Sequence, residues 1–108
     1  MKWYDNLYVG ESIKGKEKRI KWKIEHNAGT LSIFVIALSS NPDNLLDMIP
    51  AKELMQKAYP KEQLEIIGLA KGYEEGLELI TRIVDEVYQS TGDVDICTYL
   101  KEARGRKS

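Results

Sequence analysis

Leu64-Glu65-Ile66-Ile67-Gly68-Leu69-Ala70, followed at once by Lys71-Gly72-Tyr73-Glu74-Glu75-Gly76-Leu77-Glu78-Leu79-Ile80, is the stretch on which the fold turns. The first part is a short, largely apolar run with the length of a strand, and the second opens the best helix in the chain. Tyr73, Leu77, Ile80, Val84 and Val87 recur at helical spacing, and Leu79 and Ile83 widen that stripe. Glu74, Glu75 and Glu78 fall in the first turns, where negative charge suits the helix dipole. Glu78 and Arg82 stand four apart in the favoured order, worth roughly 0.3–0.5 kcal/mol. Thr91-Gly92 supplies the stop. The reading is a strand, a tight turn and a long helix.

A second strand-helix pair lies upstream. Leu31 to Leu38 is apolar on both alternating faces, as expected of a strand covered on both sides. Ser39-Ser40-Asn41-Pro42-Asp43-Asn44 ends it with turn and capping residues. Leu45 to Ile49 reads as a short turn leading to Pro50 as the first residue of a helix, in which Ala51, Leu54, Met55 and Ala58 recur before Pro60. Nearer the N-terminus, Leu7-Tyr8-Val9-Gly10 reads as a short strand and Ser12 to Asn27 as a basic helix. Ile13, Ile20 and Ile24 share a face of that helix and Trp22 does not. A hairpin alternating Ile20, Trp22 and Ile24 with charged residues is the rival for the same segment. After Gly92, Ile96, Tyr99, Leu100 and Ala103 mark a last short helix, capped by Asp93 or Asp95. The expected architecture is therefore α/β: three strand-helix units plus a short C-terminal helix, with a small, mainly parallel sheet of two or three strands and helices packed on it. Residues 1–103 form the domain and 104–108 a flexible basic tail.

The composition excludes several classes of function. The 108 residues supply one core and not two. The single cysteine, Cys97, rules out an internal disulfide and reads as a buried apolar side chain beside Ile96 and Leu100. The single histidine, His26, excludes a His-rich zinc or di-iron centre. Met1-Lys2-Trp3-Tyr4-Asp5 lacks the apolar run of a signal peptide, and Ile33 to Leu38, the longest apolar run, is far below the roughly 20 residues of a membrane span. A cytoplasmic chain without a membrane partner is expected. Net charge is -1, yet residues 1–30 carry seven basic and four acidic groups, 31–100 five basic and twelve acidic, and 101–108 four basic and one acidic. Basic ends flanking an acidic middle favour docking of the ends on the body, or pairing between copies, over the ~8–10 Å reach of charge at physiological salt.

Ser40-Asn41-Pro42-Asp43-Asn44-Leu45-Leu46-Asp47, Ile67 to Leu79 and Tyr8-Val9-Gly10-Glu11-Ser12 resemble, over nearly the whole chain, a family of small proteins of anaerobic Gram-positive bacteria. That family has no established activity. The resemblance implies a bacterial cytoplasmic origin and no particular chemistry.

Residues able to carry chemistry are sparse. Tyr8-Val9-Gly10 with Arg19 and His26 superficially resembles part of a GIY-YIG nuclease. The gaps are too long and no Gly-Ile-Tyr strand precedes them, so Tyr8 reads as a packing residue. Gly68, Gly72 and Gly76 follow G-x3-G-x3-G, neither a dinucleotide fingerprint nor a P-loop. They read as one glycine for the turn and one that lets the helix lie close to the sheet. If the two clear strands are adjacent and parallel, the loops after them converge. Ser39, Ser40 and Asn41 then meet Lys71, Gly72 and Tyr73 in a cleft suited to a small anionic ligand. Lys14, Lys16, Lys18, Arg19, Lys21 and Lys23, with Trp22 among them, could face nucleic acid. Glu11, Glu17 and Glu25 halve that charge, and a pI near 5.9 argues against nucleic acid as the main partner. No Gly-x-Ser-x-Gly elbow or paired-cysteine motif occurs, and no catalytic residue, metal ligand or cofactor is assigned. The sequence favours a non-enzymatic interaction module that acts as a homo-oligomer or with a protein partner. An anionic-ligand site at the strand ends and a nucleic-acid role for residues 14–23 stand as the alternatives.

Overall fold

The computed structural model describes residues 2–26, 28, 32–38, 46–54, 64–92, 96, 99 and 100. Its elements are β1 (Lys2–Val9), a 3-10 turn (Glu11–Ile13), α1 (Glu17–Glu25), β2 (Ile33–Leu38), β3 (Leu46–Pro50), α2 (Ala51–Leu54), β4 (Glu65–Lys71) and α3 (Tyr73–Thr91). Five consecutive residues of β4, Ile66 to Ala70, are buried. A strand apolar on both faces must be covered on both faces, and β4 accordingly lies inside the sheet. It pairs parallel with β1 and antiparallel with β2, and β2 pairs antiparallel with β3, giving the order β1-β4-β2-β3.

The sheet therefore departs from the mainly parallel, two- or three-stranded sheet expected from sequence. It is four-stranded and mixed, and β1 with β4 is the one parallel pair among the described residues. The reason lies in the length of a connection. Only residues 39–45 separate β2 from the next strand, and a parallel crossover needs a dozen or more. The chain can only turn back. The segment read as a turn, Leu45 to Ile49, supplies the returning strand β3, with Met48 opposite Ile36 and Ile49 opposite Val35. Pro50 is the last residue of that strand and directly precedes α2 at Ala51; an edge position tolerates it because no inner ladder needs its missing N–H.

Side-chain alternation sends two sets of residues to opposite faces. Ile33, Val35 and Ala37 of β2 join Ile66 and Leu69 of β4 and Ile49 of β3, beneath Ile13, Ile20 and Ile24 of the 3-10 turn and α1. Ile36, Ile67 and Ala70 join Tyr4 of β1 beneath Leu79, Ile83 and Val87 of α3, with Ile96 and Leu100 in the same cluster. Strict alternation would put Ile67 and Ala70 on opposite faces if nothing intervened between odd and even positions. A β-bulge does intervene: Ile36 pairs with Gly68 but Ala37 with Ile66, so Ile67 is the extra residue. Each fully buried Ile or Leu here contributes about 1.5–3 kcal/mol.

Of the two readings of residues 12–27, the chain takes the helix, over Glu17–Glu25. Helix α3 spans Tyr73–Thr91 and stops at Gly92, left-handed at φ 73°, whose N–H donates to the Tyr88 carbonyl at 2.7 Å. Its orientation differs from the expected stripe. Gly76, Leu79, Ile83 and Val87 face the sheet, whereas Tyr73 and Leu77 point outward and Ile80 and Val84 are half-buried. The cause is a close approach: a Cβ at Gly76 would run into the Met48 sulfur on β3, so the glycine face is the one that can lie against the strands. No helix among the described residues is long and apolar enough to cross a membrane. Met55, Ala58, Pro60, Asp93, Asp95, Cys97, Ala103 and the 104–108 tail lie outside the described residues.

This orientation separates two leucines two positions apart. Leu79→Ala, which hollows the core, is expected to lower unfolding free energy by about 2–5 kcal/mol. Leu77→Ala is expected to cost less than about 1 kcal/mol. Denaturant titration of both variants is the check.

Candidate functional site

Strands β1 and β4 run parallel, so their carboxyl ends lie side by side, with Val9 opposite Leu69. The loop beside Lys71-Gly72-Tyr73 is consequently Gly10-Glu11-Ser12. On the other side, β2 is antiparallel and presents its beginning: Ile33 pairs with Lys71, and the Gly72 N–H donates to the Ser32 carbonyl at 2.7 Å. The parallel adjacency on which the expected cleft depended is thus absent between β2 and β4. Strand β2 ends with Leu38 at the opposite end of the sheet, and Ser39, Ser40 and Asn41 lie outside the described residues. Lys71, Gly72 and Tyr73 do stand together. Lys71 is exposed at the strand end, Gly72 turns at φ 84°, and the Tyr73 ring meets Phe34 edge-on at 6.1 Å.

The end of the parallel pair contains a cradle of donors, and the chain fills it itself. Glu75, in the first turn of α3, accepts from the Lys71 N–H at 2.9 Å, the Ser12 hydroxyl at 2.9 Å and the Ser12 N–H at 3.3 Å. Burial works to raise this carboxyl, but the Lys71 and Ser12 donors and the Lys71 charge outweigh it, and its pKa lies below the usual carboxylate value. Gly10 makes room, since a Cβ there would overlap the Glu75 carboxylate. A cavity of about 230 Å³ beside it is lined by Gly10, Glu11, Glu75, Glu78, Leu79 and Arg82. Arg82 donates to the Val9 carbonyl at 3.2 Å and stands 4.0 Å from Glu11. The donors that would bind an anion are already engaged by a carboxylate of the chain. Chemically, this locus is a clasp between α3 and the end of β1.

Farther along the same side, the Tyr8 hydroxyl donates to the Glu86 carboxylate, and its ring stacks parallel to Tyr4 at 6.4 Å. Burial first, and then the Glu86 contact, raises the Tyr8 phenol well above its ordinary value, so it stays protonated. This is a packing tyrosine. On the opposite face, a cleft of about 410 Å³ between β1 and α1 is lined by residues including Trp3, Glu17, Lys18 and Lys21. The Lys21 ammonium lies 5.5 Å from the Trp3 ring centre. Among the described residues, no group of three or more His, Cys, Asp and Glu side chains is placed to hold a metal ion.

What remains is on the outside of the two long helices. Trp22 of α1 is 54% exposed and stacks on His26 at 4.2 Å. The His26 Nδ1–H donates to the Trp22 carbonyl at 2.8 Å. Around this pair stand Lys18 and Arg19, one turn earlier, both exposed. On α3, Tyr73, Leu77 and Tyr88 are 59%, 44% and 55% exposed. With half-buried Ile80 and Val84 they form a second apolar stripe beside the one that faces the sheet. A groove of about 430 Å³ lies along its C-terminal half, lined by Ile80, Thr81, Val84, Asp85 and Tyr88. The placement of Trp22 off the isoleucine face was readable in sequence. The Ser12–Glu75 and Tyr8–Glu86 contacts join residues 63 and 78 positions apart and left no local signal.

Comparison with protein-family models, with curated proteins and with solved structures finds no significant match to this chain.

The clasp has a pH signature. A group whose folded pKa is depressed stabilises the fold above its unfolded pKa and ceases to do so as pH falls through the folded value. Glu75→Gln is expected to cost about 1 kcal/mol at pH 7. That difference from the unaltered chain should shrink as pH falls below the ordinary carboxylate value of 4.5 and vanish in acid. Urea titrations at pH 7 and pH 3 measure it.

Proposed function

We propose that this chain is a non-catalytic interaction module of the bacterial cytoplasm that works by associating with further copies of itself. The observation that carries the reading is the outer stripe of α3, where Tyr73, Leu77 and Tyr88 are about half exposed beside Ile80 and Val84. Single exposed apolar side chains need no explanation, but a contiguous stripe of five on a 19-residue helix is the hallmark of a surface meant to be covered. Aromatic anchors of this kind dominate binding energy where they are buried. The engaged donors around Glu75 weigh against the competing anionic-ligand reading. The single cysteine agrees with a reducing compartment, and the likeness noted above to small proteins of Gram-positive anaerobes supports a bacterial source.

At ~100 µM, light scattering should give an average mass above the 12.4 kDa of one chain. Leu77→Glu, which places a charge within the stripe, should return it to 12.4 kDa without changing the melting temperature measured at concentrations too low for association. An unaltered chain that stays at 12.4 kDa up to millimolar concentration overturns the reading.

A further inference from the structure

The two exposed helix surfaces lie on opposite faces of the sheet and differ in charge. The segment 11–26 carries six Lys and Arg against three Glu, and the fold turns two of those acids away from the outer face. Glu17 is half-buried and accepts from the Gly15 N–H, and Glu11 faces Arg82 on the far side. The outer side of α1 is left with an exposed tryptophan–histidine pair flanked by Lys18 and Arg19 one turn earlier and by the exposed Glu25 beside it, with Lys14 and Lys16 just before, so cations still outnumber the one acid there. Helix α3 carries five Asp and Glu against one Arg. At 100° per residue, Glu74, Glu78 and Asp85 form a row along the exposed flank of its outer stripe, interrupted there only by Thr81. One face offers an aromatic anchor with cations in the preceding turn. The other offers an apolar groove edged by carboxylates.

Resting on the self-association just proposed, we infer that the occupant of the α3 groove is the α1 surface of a second copy. Trp22 seats on Leu77, Ile80 and Val84, with Lys18 and Arg19 against the Glu74–Glu78–Asp85 row. Charge selects this pairing over its rival. Two α3 grooves facing each other would bring two acidic rows together, which costs energy, whereas α1 on α3 brings opposite charges together. Geometry then decides the form of the assembly. Because α1 and α3 cover opposite faces of one sheet, two copies cannot satisfy both contacts reciprocally across a two-fold axis. The contact is head-to-tail, each added copy exposes a fresh groove, and association proceeds by addition rather than stopping at a dimer.

The test uses two full-length variants, Trp22→Glu and Leu77→Glu, both at exposed positions, with circular dichroism confirming that each retains its fold. The unaltered chain should show a mass that rises continuously with concentration and falls between 50 and 500 mM NaCl. Each variant alone should weaken association about tenfold or more. An equimolar mixture should form a one-to-one pair that grows no further, since one variant keeps a working α3 groove and the other a working α1 surface. If Trp22→Glu associates as well as the unaltered chain and salt strengthens the complex, the grooves pair with each other; the inference falls while the module reading survives. If the unaltered chain is monomeric, both fall. If it is monomeric and its α1 surface instead binds a single-stranded oligonucleotide in a Trp22-dependent manner, nucleic acid is the partner of α1 and the inference is likewise overturned.

Discussion

Everything in this fold follows from β4 having no solvent side. From Ile66 to Ala70 it offers the sheet five buried residues in succession, divided between the two faces by a bulge at Ile67. Such a strand is stable only between neighbours and between layers. β1 and β2 supply the neighbours. A basic helix with Ile20 and Ile24 on its inner side covers one face, and an acidic helix with Leu79, Ile83 and Val87 on its inner side covers the other. The separation of charge in the sequence becomes a separation across the sheet. It is a geometric result of which helix each face receives.

That division accounts for the surface as well as the core. Helix α3 is apolar over about half its circumference, and one edge of that arc lies over β4 and β2, with Gly76 against Met48 of β3. Three of the four large hydrophobic side chains exposed among the described residues, Tyr73, Leu77 and Tyr88, lie on the remaining edge. The end of the β1–β4 pair, where an open sheet would ordinarily take a ligand, is closed by Glu75 on Ser12 and Lys71. The chain fills the crevice at the strand ends with its own carboxylate and leaves an apolar edge of α3 exposed.

The sequence made some of this legible and concealed the rest for identifiable reasons. The α3 boundaries could be read because a long amphipathic pattern, an acidic first turn and a terminal glycine all agree on Tyr73–Thr91. Its buried side could not, because seven apolar residues spread over half a turn allow two orientations, and the choice is made by Gly76 meeting Met48 on a strand 28 positions away. Strand β3 was hidden by its short length, its Asp47 and its Pro50, all of which mimic a turn. Once it was missed, the sheet read as parallel. The candidate cleft rested on parallel adjacency of β2 and β4, which are antiparallel: Lys71, Gly72 and Tyr73 stand together with Gly10-Glu11-Ser12 beside them, and Ser39, Ser40 and Asn41 lie outside the described residues. The closing residue, Glu75, looked like a helix-dipole residue, and nothing local tied it to Ser12.

The most direct measurement is a dilution series of the ¹⁵N-labelled chain followed by amide and indole resonances. The Trp22 indole and the backbone amides of Leu77, Val84 and Tyr88 should shift together, along one binding curve, as concentration rises. The Trp3 indole N–H, buried and without a hydrogen-bond partner among the described residues, should stay still. Shifts confined to α3 would contradict the pairing of its groove with α1, and spectra unchanged from micromolar to millimolar concentration would contradict self-association itself.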